Sequence, residues 1–121
     1  MTTKELDLLA EIDQLKEQWK TRNEYNGWVN YETWLVNLWL MNDQQTEKIV
    51  IDAVEYARNY VIKYSGVCDR SVKSILVGDL QNLIDQHNPL LDQATIYTDL
   101  LGSAISEVDF YELAEHYLSD Y

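Results

Sequence analysis

Residues 26–43 read NGWVNYETWLVNLWLMND and hold three of the chain's four tryptophans. The reading of this stretch decides the fold. Asn30 is placed to cap a helix, its side chain accepting from the amide of Thr33. The helix it opens runs from Tyr31 to Asn42. Its apolar residues are Tyr31, Trp34, Leu35, Val36, Leu38, Trp39, Leu40 and Met41. They cover nearly the whole circumference, which predicts a helix surrounded by protein. Past Glu32 in the first turn, Thr33 and Asn37 interrupt, four residues apart on one stripe. Thr33 can bond back along its own helix. A buried Asn37 needs a partner, because an unpaired amide costs about 1–3 kcal/mol; backbone of a neighbouring segment is the expected one. Asn30, Tyr31, Thr33, Trp34, Asn37 and Trp39 thus form a structural signature. The aromatics could instead stack on bases, but such platforms sit beside basic grooves, and this chain is acidic. Core packing is the better reading, with Tyr25 and Trp28 left as partly exposed anchors ahead of the helix.

Working outward, the other segments also read as helices. Leu8, Ile12, Leu15 and Trp19 draw one narrow stripe along a helix from Lys4 to Arg22. Such a seam suits packing on one neighbour, in the same chain or in a homodimer. Asn26-Gly27 is a turn signal. Asn42-Asp43 ends the second helix and caps a third, Gln44 to Tyr64, whose face includes Ile49, Val50, Val54, Ala57 and Tyr60. A fourth helix spans Arg70 to His87, with Ile75, Leu76 and Leu80 inward, and Asn88-Pro89 stops it. A fifth covers Leu91 to Ile105, with Ala94, Tyr97, Leu101 and Ala104 inward. Asp109 followed by Glu112 resembles a capping box, opening a sixth from Phe110 to Ser119 that buries Phe110, Leu113, Ala114 and Tyr117. Four glycines and one proline are too few for the turns of a sandwich or barrel. The expectation is an all-α fold: a compact bundle of five to six helices around a central buried helix, 31–42. Residues 1–22 form an added amphipathic helix and residues 25–121 the core domain.

The formal net charge is −12, and it is uneven. From Ser74 to Tyr121 there is no lysine or arginine. The same half carries Asp79, Asp85, Asp92, Asp99, Glu107, Glu112, Glu115 and Asp120, the candidate contact residues. Such a surface repels phosphate, which argues against direct nucleic-acid binding and against an anionic membrane. Its complement is a basic protein surface. The bland alternative is a solvated face that keeps the protein soluble.

No catalytic constellation stands out. Cys68 precedes Asp69 without a family signature around it, and a small inert thiol is the better reading. Glu112 and His116, four apart, could face one ion, but two further ligands are missing. No glycine-rich phosphate loop is present. The expectation is a non-enzymatic protein without metal or cofactor. No apolar run approaches the ~18 residues that cross a bilayer, and one cysteine forms no internal disulfide. The chain reads as cytoplasmic.

The pattern GW-x-NYETW-x-V-x-LW, here residues 27–39, and the ending from Leu100 through VDFYELAEHYL resemble a family of small proteins from phages, plasmids and other bacterial mobile elements. In that family a tryptophan often stands where this chain has Phe110. The resemblance spans about Tyr25 to Tyr121 and implies a setting among accessory genes, which often encode inhibitors of restriction or CRISPR systems. With the charge, it suggests an inhibitor that occupies the basic surface of a host effector. Carboxylates on successive helix turns, ~5.4 Å apart, could stand in for DNA phosphates. The alternative is a helical adaptor that dimerises through Leu8, Ile12, Leu15 and Trp19.

Overall fold

The Asn26-Gly27 turn is the first element the sequence dictates. Both residues adopt positive φ, 49° and 86°. That pair of angles suits a tight turn of the hairpin type, for which Asn-Gly is preferred. Tyr25 and Trp28 exchange two backbone hydrogen bonds of 2.8 Å across it. The turn delivers the chain into the helix at Tyr31. A computed structural model describes residues 2–67 and 70–121, and the side chains of all of these except 16–23. Cys68 and the Trp19 side chain lie outside the described residues.

The described residues form six helices: α1 (Thr3–Asn23), α2 (Tyr31–Asn42), α3 (Gln44–Lys63), α4 (Val72–Gln86), α5 (Ile96–Ser106) and α6 (Phe110–Asp120). Each start from α2 onward follows a capping side chain: Asn30, Asp43, Ser71, Thr95 and Asp109 accept from amides two or three residues on. A cap of this kind contributes about 1 kcal/mol. At the other end of α6, Arg58 of α3 donates to the carbonyls of Leu118 and Tyr121 at 2.8 and 2.7 Å. It answers the unsatisfied carbonyls and the negative pole of that helix end.

The core lies among α3, α4 and α6. Val50, Val54 and Ala57 of α3, Leu76 and Leu80 of α4, and Leu113, Ala114 and Tyr117 of α6 are buried. On α6 the expected inward face, Phe110, Leu113, Ala114 and Tyr117, is the observed one. The all-α bundle stands, but α2 is not its centre. Thr33 and Leu40 are its fully buried positions. Tyr31 is exposed, and Trp39 is 72 % exposed. Helix α2 packs mainly against α3 and α6, so part of its largely apolar surface stays uncovered.

Helix α5 also departs from expectation. Asn88 accepts from the amide of Leu90, and turns carry the chain to Thr95, whose hydroxyl takes the amide of Thr98. The helix therefore starts at Ile96, five residues late, and is rotated. Ala94, Tyr97 and Ala104 are exposed, while Thr98, Leu101 and Ile105 turn half inward. On α1, Leu8, Ile12 and Leu15 are about half exposed.

Burial orders the stabilities. Leu80→Ala should cost about 2–5 kcal/mol in denaturant unfolding. Trp39→Ala should stay within about 0.5 kcal/mol, because the ring covers little core.

Candidate interaction surface

The two motifs that carry the family resemblance meet at one junction. Asn30 and Thr33 come from the first, Asp109, Glu112 and Tyr117 from the second. The Oδ1 of Asn30 accepts from the amide and the hydroxyl of Thr33, at 2.9 and 2.6 Å. Its Nδ2 donates to the carbonyl of Glu107 at 2.6 Å. The Thr33 hydroxyl, wholly buried, accepts in turn from the amide of Asp109 at 2.9 Å. One threonine thus fastens the start of α2 to the start of α6.

The expected capping box at Asp109 and Glu112 forms only in part. Asp109 Oδ1 accepts from the amide of Glu112 at 3.0 Å, as a cap should. The reciprocal bond is absent. Glu112 Oε1 accepts instead from the amide of Val29 at 2.9 Å, while the Asp109 amide goes to Thr33. A local box has been opened into two tertiary bonds. Asn37 also finds a partner, but it is the Tyr117 hydroxyl, donating at 2.9 Å, and not backbone. Burial pushes the Tyr117 phenol well above its ordinary range, helped by Tyr121 and Asp120 nearby, so it stays a donor.

Around this junction the aromatics divide. Trp28 is buried, its ring centroid 4.8 Å from that of His116. It is not the exposed anchor the sequence suggested. Tyr25 is exposed and packs against Tyr31 and Trp34, with centroids 5.2 and 4.9 Å away. Trp34 is half-buried.

The eight acidic candidates fall into distinct groups. Glu112 is engaged by Val29 and serves the fold. Asp79 is half-buried beside Arg70; burial raises its carboxyl above the usual range and the guanidinium draws it partly back. Glu115 pairs with Lys73 at 3.3 Å, and Asp120 lies 3.2 Å from His116 Nε2. Asp85, Asp92, Asp99 and Glu107 are exposed, and none forms an ion pair with a described residue. These four are the free carboxylates of the set. They follow one another at seven, seven and eight residues, from the end of α4 through the connecting loop and α5. They are not stacked on successive turns of one helix.

The pair Glu112 and His116 does not become a metal site. Glu112 is taken by the Val29 amide, and among the described residues no three His, Cys, Asp or Glu side chains converge to hold an ion. No described helix is long and apolar enough to cross a membrane. Arg58, which secures the last turn of α6, has no sequence signal for that role because its partners lie 60 and 63 residues away.

Residues 21–117 match the Family of unknown function (DUF7249). The match spans well over half of the chain, which therefore belongs to that family. It begins near the end of α1 and takes in both halves of the junction. No curated protein and no solved structure matches the chain.

The junction makes a direct prediction. Thr33→Val keeps shape but removes the hydroxyl, leaving the half-buried Asp109 amide without its partner. It should lower stability by about 1–3 kcal/mol. Glu107→Ala leaves its carbonyl in place and should fall within about 0.5 kcal/mol. Urea or guanidinium midpoints of the two variants decide the matter.

Proposed function

We propose that this protein is a non-catalytic binding protein that covers a basic surface on another protein. In the setting implied by the sequence resemblance, that partner is a nucleic-acid-binding effector of host defence, of the restriction or CRISPR type. The observation that carries this reading is the segment 85–107. It presents four exposed carboxylates without ion-pair partners among the described residues, in a half of the chain that has no lysine or arginine. Free carboxylates are the ones available to a cationic partner; those already paired or bonded to backbone contribute less. The spacing of the four supports steric covering of a basic surface better than a phosphate-like track, because they lie along a loop and three helix ends.

The test is capture of nucleic-acid-binding effectors from bacterial lysates on the tagged protein, over a salt series and with competing DNA. Changing Asp85, Asp92, Asp99 and Glu107 together to Lys should reduce capture at least about tenfold at low salt. The double change Glu115→Lys, Asp120→Lys should do less, since both carboxylates are already engaged. Undiminished capture by the quadruple variant contradicts the reading.

A second reading rests on α1. Leu8, Ile12 and Leu15 share a stripe and are exposed, which supports an adaptor that dimerises through this helix. The mass in solution distinguishes it. The adaptor reading expects a dimer that becomes a monomer in the Leu8→Asp, Ile12→Asp variant, whereas a monomer before and after removes it.

A further inference from the structure

An apolar groove runs between α2 and the α4–α5 segment. Leu35, Val36 and Trp39 form one wall and Ile84, Leu101 and Ile105 the other, with Asn88 and Pro89 at its end. Its volume is about 260 Å³. That is below the ~300–1,000 Å³ of sites that enclose a whole small molecule. It suits an anchor side chain or two from something larger. Trp39 stands at the edge, largely uncovered.

The apolar surface does not stop at the groove. Tyr97 lies four residues before Leu101 and so on the same side of α5. With Ile96 and Leu100 it carries the strip outward; the three are 69 %, 68 % and 61 % exposed. No residue of α5 is fully buried, although the helix is largely apolar. An isolated exposed leucine needs no explanation, but a continuous strip leading into a groove marks an interaction surface.

Charge selects the occupant. Neither stretch that builds the groove, 31–42 or 74–121, contains a lysine or arginine. Of the free carboxylates, Asp85 follows Ile84 at the end of α4 and Asp92 lies in the loop three after Pro89, whereas Asp99 and Glu107 stand two residues from Leu101 and Ile105 and so turn away from the groove. The complement of an apolar groove edged this way is an apolar stripe edged with lysine and arginine. A groove between helices takes such a stripe most readily on a helix, with anchors at i, i+3/i+4 and i+7. Helix α1 of a second copy is a poorer match, because Lys4 to Arg22 carries five acidic against four basic residues.

We propose that the groove between α2 and α5 receives a basic amphipathic helix, its apolar anchors beside Trp39 and Leu101 and its lysines or arginines toward Asp85 and Asp92. This rests on the reading above, that the acidic face binds a basic protein, and it names the part of the partner that is bound.

The test uses the full chain and three labelled synthetic peptides, followed by fluorescence anisotropy at low and physiological salt. One is a leucine–lysine amphipathic helix. The second has the same composition with the leucines scattered. The third has the amphipathic pattern with glutamate in place of lysine. The first should bind at least about tenfold more tightly than either other. Trp39→Glu and, independently, Tyr97→Glu should remove that advantage while keeping the helical circular dichroism and the unfolding transition of the parent. If the scattered basic peptide binds as well as the amphipathic one and both variants are silent, the groove is not the site and only the charged-face reading survives. If neither basic peptide binds even at low salt, or the glutamate peptide binds equally, both readings fall. If the protein alone is a dimer that Trp39→Glu dissociates, a second copy fills the groove and the proposal is overturned.

Discussion

The buried hydroxyl of Thr33 holds two helix starts together, and the rest of the structure is arranged around that constraint. It donates to the capping side chain of its own helix and accepts from the first amide of another. A buried hydroxyl and a half-buried amide are each costly when unpaired, so each helix start depends on the other for its polar partners. Asn30 reaches the carbonyl of Glu107 and Glu112 reaches the amide of Val29, closing the same junction from both sides. Farther along, Tyr117 and Asn37 repeat the link within the helices. Nearly all the polar residues that seemed out of place in an apolar stretch are spent here. This gives the distinctive NYET sequence an architectural reason.

Much of the fold was legible in the sequence because it is built from local devices. Asn30 and Asn42 bound α2 at the residues expected, and the face of α6 follows from a four-residue rhythm after a capping aspartate. What was not legible depends on partners far away in the chain. Glu112 looks like any surface carboxylate until Val29, 83 residues earlier, arrives beside it. Arg58 looks like a solvated base until the end of α6 meets it. The late start of α5 has a local sign in Thr95 and Thr98, a capping pair that competes with the apolar residues before it. The burial of Trp28 and the exposure of Trp39 have no such local sign; both are tryptophans in apolar company, and only the packing of α2 at the side of the core separates them.

The junction also decides which surfaces are left over. By fixing α2 against α6 it spends Asn30, Thr33, Asn37 and Glu112 internally. It leaves the opposite part of α2, with Trp39, facing α5 across an open groove. The carboxylates that remain free are those of the segment leading into and out of α5. Frame and open surface are thus separated in the molecule: the polar residues of the family motifs hold the frame, and the acidic, apolar segment beside them stays exposed.

The most direct measurement of this account is native-state hydrogen exchange of the Thr33 and Asp109 amides, read residue by residue. Both donate within the junction. If the junction is the constraint on which the fold depends, these amides open only with the whole molecule and exchange as slowly as those of Val54 and Leu80 in the core. Exchange as fast as at the exposed residues of α5, while the core stays protected, would mean that α2 and α6 part without unfolding and would contradict it.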